Sequence, residues 1–375
     1  MYKLNLFNRK KSYISSIMPF GLIVGGEKII VGDKEERTAA VVINKNGTLQ
    51  TTWRYRGPDL ESSVPEQLAV ITAQLNNAFQ LYGTGWIMYF DAQRTPSTAY
   101  ADDVHFPDPV TRAIDDSRKK KFSSGKFFES DYYITMCWIP PSDQEGRLKR
   151  LILEGEEEKT VTADDHLSTF AEMAHQLFRL FKELGIPADF LDRDEMATYL
   201  HSCVSSQSYA IKAPDETMLV DQYLYDDPLS GGNDPKLGHK FMKVIVPKKY
   251  PGRSIFGMLN ELNREAFSYR WVTRFYCQDK QDALSELGTR QTRWSGKIEP
   301  FKAMVKRMFF NAPPSDKDRN ENAVLKVDEI KEAIRSVDAG EVGYGYYSTA
   351  VIVMDESYDY VCNAAKAVKD VFQNL

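Results

Sequence analysis

The feature that most limits what this chain can fold into is a switch of hydrophobic period, from two to about 3.6 and back, that comes twice in the same order. Residues 40–56 read as a β-hairpin, with an AVVIN run, the turn pair Asn46-Gly47, then Leu49, Thr51, Trp53 and Tyr55 alternating with polar neighbours. A helix follows, because Ser63 and Glu66 have capping-box spacing around Pro65, and Leu68, Ile71, Leu75, Phe79 and Tyr82 recur at helical intervals until Gly83 and Gly85 stop them. Strands are predicted over 86–91 and 131–140, separated by a Pro-rich crossing from 95 to 109. Beyond the acidic stretch 154–159, Leu167, Phe170, Ala174, Leu177, Phe181 and Leu184 line one face of a helix that Gly185 and Pro187 end, and a short capped helix spans 192–202.

The second pass gives a strand at 241–246, a helix at 255–266 and a strand at 269–276. A long helical region covers 279–310, with Ile298, Phe301, Val305 and Met308 at helical spacing. After a polar break at 312–322 come another helix, the strand 346–355 and a final helix. Strand-helix-strand-strand-helix, stated twice, predicts a mixed α+β chain of two ferredoxin-like, split-βαβ units with mainly antiparallel sheets and an inserted helical arm. A chain of 375 residues also exceeds what one hydrophobic core usually fills. The expected division is an N-terminal arm at 1–38, a first α+β unit at 39–213, a linker at 214–240 containing Ser230-Gly231-Gly232-Asn233, and a second unit at 241–375 with its helical insertion over about 279–340.

The arm carries Lys3, Arg9, Lys10 and Lys11 ahead of an apolar stretch at 13–26 that Pro19 and Gly21 interrupt. Its uninterrupted apolar runs fall short of the roughly 20 residues that span a bilayer. It reads either as a basic, apolar segment that rests on a membrane or a membrane protein, or as a plain extension.

A formal net charge of -5 disfavours a dedicated nucleic-acid binder, since phosphate contacts need a surplus of cations. The runs Arg118 to Lys121 and Lys248-Lys249 lack the interleaved aromatics that stack bases, and read as solvated faces. Cys137, Cys203, Cys277 and Cys362 are far apart with no CxxC pair, which predicts free thiols in a reducing cytoplasm and leaves two disulfides as the alternative.

No stretch has the GxxxxGK[ST] pattern whose backbone amides wrap phosphate oxygens, and residues 231–240 hold glycines at the wrong spacing with no Ser or Thr after the lysine. The histidines His105, His166, His175, His201 and His239 never pair at i,i+4, and no HExxH or GxSxG occurs. The acidic pairs Asp102-Asp103, Asp164-Asp165 and Asp226-Asp227 fall where capping and turn chemistry favour Asp anyway. Catalytic, cofactor-binding and metal-binding residues are therefore expected to be absent. Four of the five tryptophans (Trp53, Trp86, Trp138, Trp271) fall on predicted strands and read as sheet core. Trp294 lies on the long helix among Arg290, Arg293 and Lys297, and these four are the candidate partner contact.

Eight strings carry a likeness beyond these patterns: RYRGPDL from Arg54, LNNAFQLYGTGW from Leu75, FPDPV from Phe106, FFESDYYITMCWIPP from Phe127, YLHSCVS from Tyr199, LGHKFMKVI from Leu237, PGRSIFGMLNELN from Pro251 and YRWVTRF from Tyr269. In their order and spacing the chain resembles the amino-terminal region of the CagE/TrbE/VirB family, the large ATPases of type IV secretion and conjugal transfer, and is closest to the TrbE branch. The likeness runs from about residue 39 to 375 and is weak before that. In that family the Walker motifs follow this region, and the chain ends at Leu375 before any of them, so it reads as a truncated chain or a split gene product without the P-loop ATPase domain. No ATP-binding residue carries over: ATP and Mg belong to the missing C-terminal domain, and the full-length family member is the ATPase.

The resemblance implies an assembly and docking domain that positions the ATPase, peripheral at the cytoplasmic face of the inner membrane. The implied partners are small inner-membrane subunits of the secretion system, other secretion ATPases and the protein's own C-terminal ATPase domain, with DNA binding weak or absent. Two other readings stay open. One is a single-stranded DNA-binding module of the same machine, marked by salt-sensitive DNA retention. The other is an independent metal-dependent, nuclease-like enzyme using Asp226 and Asp227, or Glu129 and Asp131.

Overall fold

The computed structural model describes residues 18–57 apart from 27, 32 and 33, then 64–101, 106–141, 163–215, 218–252, 254, 257–298 and 320–374. The fold is mixed α+β, with the strands β1 (Phe20–Gly25), β2 (Lys28–Val31), β3 (Lys34–Arg37), β4 (Ala40–Asn44), β5 (Leu49–Tyr55), β6 (Trp86–Ser97), β7 (Phe127–Trp138), β8 (Ala188–Phe190), β9 (Leu229–Ser230), β10 (Lys236–Leu237), β11 (Lys240–Ile245), β12 (Tyr269–Gln278) and β13 (Tyr344–Asp355). The helices are α1 (Pro65–Phe79), α2 (Pro109–Phe122), α3 (Ala163–Glu183), α4 (Arg193–Val204), α5 (Lys280–Ser295), α6 (Glu321–Asp338) and α7 (Tyr358–Gln373). Ten strands form one path in the order β1-β4-β5-β7-β6-β12-β13-β11-β10-β9, with β8 beside β5, while β2 and β3 pair separately. The pairings β1 with β4, β4 with β5, β5 with β7 and β8, β11 with β13 and β10, and β9 with β10 are all antiparallel.

The chain forms two compact units: Met1–Ser63, Met88–Arg274 and Ser348–Leu375 make the first, Val64–Ile87 and Phe275–Tyr347 the second. This grouping differs from the linear division expected at 214–240, a stretch that lies inside the first unit. The reason is topological: strands from both halves of the sequence share one sheet through the neighbours β6 and β12, so the first unit takes three separate pieces of chain.

In the first unit the hairpin β4-β5 turns at Asn46-Gly47. Gly47 has φ 81°, which costs only glycine nothing, and Asn46 Oδ1 accepts from Thr48 N at 3.1 Å. One buried face was expected for β5, yet both faces are covered. Trp53, fully buried, meets Phe178, Phe181 and Phe190 edge-on with centroids 6.2, 6.2 and 5.8 Å away. Those partners come from α3, whose Phe170, Ala174, Leu177 and Phe181 form the predicted apolar stripe, and from β8. The polar face of β5 lies against α4, where Met196, Ala197, Tyr199 and Leu200 pack with Ile23, Ala40 and Val42. Thr52 is tolerated there because its hydroxyl pairs with Thr135 at 2.9 Å, which in turn meets Tyr199 OH at 3.2 Å. A reciprocal capping box starts α4: Asp192 Oδ1 accepts from Glu195 N at 2.9 Å, and Glu195 Oε2 from Asp192 N at 3.1 Å.

Farther along the sheet, α7 covers one face. Ala364, Ala365, Val368 and Val371 on α7 cluster with Ile245, Val351, Val353, Leu262 and Phe267. The helix predicted at 255–266 is a 3-10 turn, Asn260–Arg264, with 255 and 256 outside the described residues. Arg94 supplies the reason for that short turn: its Nη2 donates to the carbonyls of Asn263 (2.8 Å) and Glu265 (3.2 Å), which holds the backbone away from a continuing helix. Helix α2 was not anticipated. It begins with Asp108 accepting from Thr111 N at 2.8 Å, and Lys119, Lys120 and Lys121 in its last turn complement the helix dipole.

In the second unit, α1 starts at Pro65 with Val64 as N-cap and no side-chain cap, in place of the expected Ser63-Glu66 box; Ser63 lies outside the described residues. Helices α5 and α6 pack through Ala283, Leu287 and Val337. The predicted 279–310 helix is seen as α5 up to Ser295, and Phe301, Val305 and Met308 lie outside the described residues. The glycine stop after α1 has a second cause. A Cβ on Gly83 would stand 1.6 Å from Asp279 Oδ1, while the neighbouring Thr84 hydroxyl donates to Asp282 Oδ2 at 2.6 Å and accepts from Asp279 N at 3.0 Å. Substituting Gly83→Ala therefore pushes aside the exposed end of the Asp279 side chain, and is expected to cost no more than about 1 kcal/mol. Denaturant unfolding followed by circular dichroism checks this, with Gly231→Ala, where nothing crowds the added carbon, as the control.

Candidate functional site

The carboxylates that a metal-dependent enzyme would need do not converge. Asp226 Oδ2 meets His201 Nε2 at 2.7 Å and accepts from Tyr209 OH at 2.8 Å. Asp227 instead accepts from Ser206 N (2.8 Å) and Ser206 Oγ (2.5 Å). Gly238, at φ 58°, sits so close that a Cβ would fall 2.5 Å from Asp227 Oδ1. Lys240 Nζ closes the arrangement on the Ser206 carbonyl at 2.8 Å. The pair is thus a clasp: it fastens the end of α4 to the β10-β11 hairpin, with His201 almost wholly buried. Glu129 and Asp131 are exposed on β7. Among the described residues no group of three or more His, Cys, Asp or Glu side chains is placed to hold a metal ion. Asp102 and Asp103 lie outside those residues.

A second polar cluster is the one the sequence reading passed over. Asp91 on β6 is buried, and Arg270 on β12 grips it with Nε on Oδ1 at 3.0 Å and Nη2 on Oδ2. Arg270 Nη1 also donates to the Ser202 carbonyl at 2.7 Å, and Nη2 approaches Cys203 Sγ at 3.0 Å. Gln93 Nε2 links Asp91 (3.1 Å) with Ser202 Oγ (3.2 Å). Each nitrogen of the guanidinium is spent on the protein itself, so the cluster joins β6, β12 and α4 rather than presenting a site. Its sequence signal was a charge set among aromatic strand residues: Arg270 between Tyr269 and Trp271, Asp91 after Tyr89-Phe90.

The candidate contact residues fall on α5 and just beyond it. Arg290 is not free for a partner, since its Nε and Nη2 donate to Glu286 Oε1 at 2.9 and 2.5 Å, and Glu286 also accepts from Tyr346 OH and, at 3.2 Å, from Gln278. These bonds hold the Glu286 carboxyl below its ordinary range. Lys297 Nζ lies 4.4 Å from the centroid of the half-buried Trp294 ring, a cation-π pair. Arg293 is exposed. Trp294 and Lys297 are therefore brought together, while Arg290 serves the helix. The four cysteines are free. Among the described residues no helix is long and apolar enough to cross a membrane.

Residues 40–146 match the family model described as type IV secretion system ATPase VirB4/TrbE, N-terminal domain. The chain is 27% identical over 350 residues to the conjugal transfer protein TrbE of Rhizobium radiobacter, an alignment covering 89% of this chain and 42% of that protein. Sinorhizobium fredii (strain NBRC 101917 / NGR234) carries a probable conjugal transfer protein TrbE in two pieces, and both are similar to this chain. The first piece is 32% identical over 118 residues, covering 31% of this chain and 79% of that protein. The second is 27% identical over 180 residues, covering 48% of this chain and 26% of that protein. The chain belongs to the VirB4/TrbE family of type IV secretion ATPases, within its N-terminal region. It spans well under half the length of the Rhizobium radiobacter relative.

The Asp91–Arg270 pair yields one expectation. Arg270→Met alone strands a buried carboxylate and should cost about 3–5 kcal/mol, whereas Asp91→Leu with Arg270→Met should recover most of that loss; equilibrium urea unfolding of the two variants decides it. A second concerns acid. Partial burial raises the Asp226 carboxyl, but hydrogen bonding from His201, Ser205 and Tyr209 outweighs it and sets it below its ordinary 3.8. The stability this group contributes is complete above 3.8 and disappears as pH falls through the lower folded value. Asp226→Asn should therefore unfold along a shallower curve than the native chain below that pH, read by circular dichroism across an acid titration.

Proposed function

We propose that this chain is the assembly module of a conjugal-transfer ATPase, which positions the nucleotide-hydrolysing part of the full-length protein at the cytoplasmic face of the inner membrane by docking onto other components of the secretion complex. The observation that carries the reading is the alignment: 89% of this chain maps onto 42% of a conjugal transfer protein, with the N-terminal domain model matched inside it. The side chains support it. Both dense polar clusters, Asp226 and Asp227 among them, are consumed in holding the fold, and the sequence contains no GxxxxGK[ST] pattern. Docking surface is what remains, and the candidate contact is Trp294 with Lys297, flanked by Arg293. The partners are small inner-membrane subunits, neighbouring secretion ATPases and the C-terminal ATPase domain of the full-length protein. ATP and Mg act in that domain, and DNA binds weakly.

The purified chain should turn over no ATP and should capture a small inner-membrane subunit of the secretion system. Replacing Trp294 by Ala together with Lys297 by Glu should lower that capture by about tenfold without changing the unfolding midpoint. ATP hydrolysis by the chain without subunit capture would refute the reading.

A further inference from the structure

The outer edge of β11 is an unfilled strand position. On its inner side β11 pairs with β13, placing Lys243 opposite Val353 and Ile245 opposite Val351. On its outer side the hairpin partner β10 pairs Leu237 with Lys240 and Lys236 with Phe241, and the last bond runs from Met242 N to the Pro235 carbonyl at 2.9 Å. The even-numbered residues of β11 thus turn their backbone groups outward. Before Pro235 the chain turns away from β11 and belongs to the loop that joins β10 to β9, the strand on the far side of β10, and Asp234 in that loop is held by Lys243 Nζ at 2.7 Å and Tyr358 OH at 3.1 Å. Val244 and Val246 therefore point their backbone groups to a side where the strand order of the described residues places no further partner for them. Their side chains share one face and are 54% and 55% exposed.

The surrounding charge selects what fits there. From Lys236 to Gly252 the sequence has five lysines and no carboxylate, in a chain whose net charge is -5. Lys236 lies over the Phe241 ring, Lys240 donates to Ser206 and Lys243 to Asp234. Lys248 and Lys249, just past the open edge, are exposed and make no ion pair with any described residue. Two copies pairing edge to edge would set these lysines against one another, a like-charge arrangement that strand pairs disfavour. The same cations favour a strand of opposite sign.

We infer that β11 accepts an extended acidic segment of a partner protein as an added strand, with alternate apolar residues over Val244 and Val246 and carboxylates at Lys248 and Lys249. This rests on strand geometry and charge, and stands apart from the Trp294 contact and from whether the chain turns over ATP.

The test uses the full chain and two fluorescent ten-residue peptides, one alternating Glu with Val and one alternating Lys with Val, followed by fluorescence anisotropy at low and high salt. The acidic peptide should bind and weaken with salt, and the basic one should not bind. Val244→Pro removes an outward amide at a position where an edge strand tolerates proline, and should weaken binding about tenfold or more. Lys248→Glu with Lys249→Glu leaves the backbone alone, should weaken the acidic peptide equally and should gain the basic one, so the inference stays testable even where the proline variant misfolds. Absence of acidic-peptide binding, or binding that both variants leave intact, overturns it. Concentration-dependent dimers that Val244→Pro abolishes also overturn it, in favour of a second copy at this edge.

Discussion

The grip of Arg270 on Asp91 is the interaction on which the continuity of the sheet depends. β6 and β12 come from opposite halves of the sequence, and among the described strands they are the neighbours that join those halves. A charge pair is a costly way to make such a junction, because both ions leave water. Here the cost is offset by completing the guanidinium's hydrogen bonds with the Ser202 carbonyl and both carboxylate oxygens. An apolar pair would pack as well, but it would not fix the register of β12 against β6 and the end of α4 at the same time. Arg94, further along the same strand, acts likewise on the 3-10 turn before β12. β6 is thus a strand whose polar side chains organise segments that lie more than a hundred residues downstream.

The clasp at Asp226 and Asp227 shows how acidic residues that look like chemistry can be structure. Asp226 and Asp227 are adjacent in sequence but serve different elements, one reaching His201 and Tyr209, the other the backbone of Ser206. Gly238 leaves the space that Asp227 occupies. With these groups committed, what the first unit offers outward is a basic strand edge, and what the second offers is an aromatic-cation pair on a helix. Both features are suited to recognition rather than to bond making.

How much of this was legible in the sequence depended on how local the cause was. The β4-β5 hairpin, the apolar stripe of α3 and the capping box of α4 each arise from residues within a few positions of one another, and period, turn chemistry and cap spacing revealed them. The mainly antiparallel pairing and the mixed α+β class followed from the order of those elements. Helix α2 hid in a Pro-rich stretch because Pro109 reads as a breaker, whereas proline in the first helical turn is favoured. The 255–266 segment has a helical pattern, but Arg94, far away on β6, claims the carbonyls near its end. Trp294 and Lys297 meet, as three-residue spacing allows, and Glu286 and Arg290 pair at i,i+4, whereas the bonds that Gln278 and Tyr346 give Glu286 come from other elements and have no local signal. The joining of both halves in one sheet had no local signal at all.

The Gly83-Thr84 corner holds the start of α5 from a point 195 residues earlier in the chain. During synthesis α1 therefore leaves the ribosome long before α5 and α6 exist, and the second unit cannot close until all of the intervening first-unit chain has emerged. A sequence order of this kind leaves α1 waiting for its partners, while the first unit itself stays open until its last piece, Ser348–Leu375, has emerged, so both units depend on chain made in the final stage of synthesis.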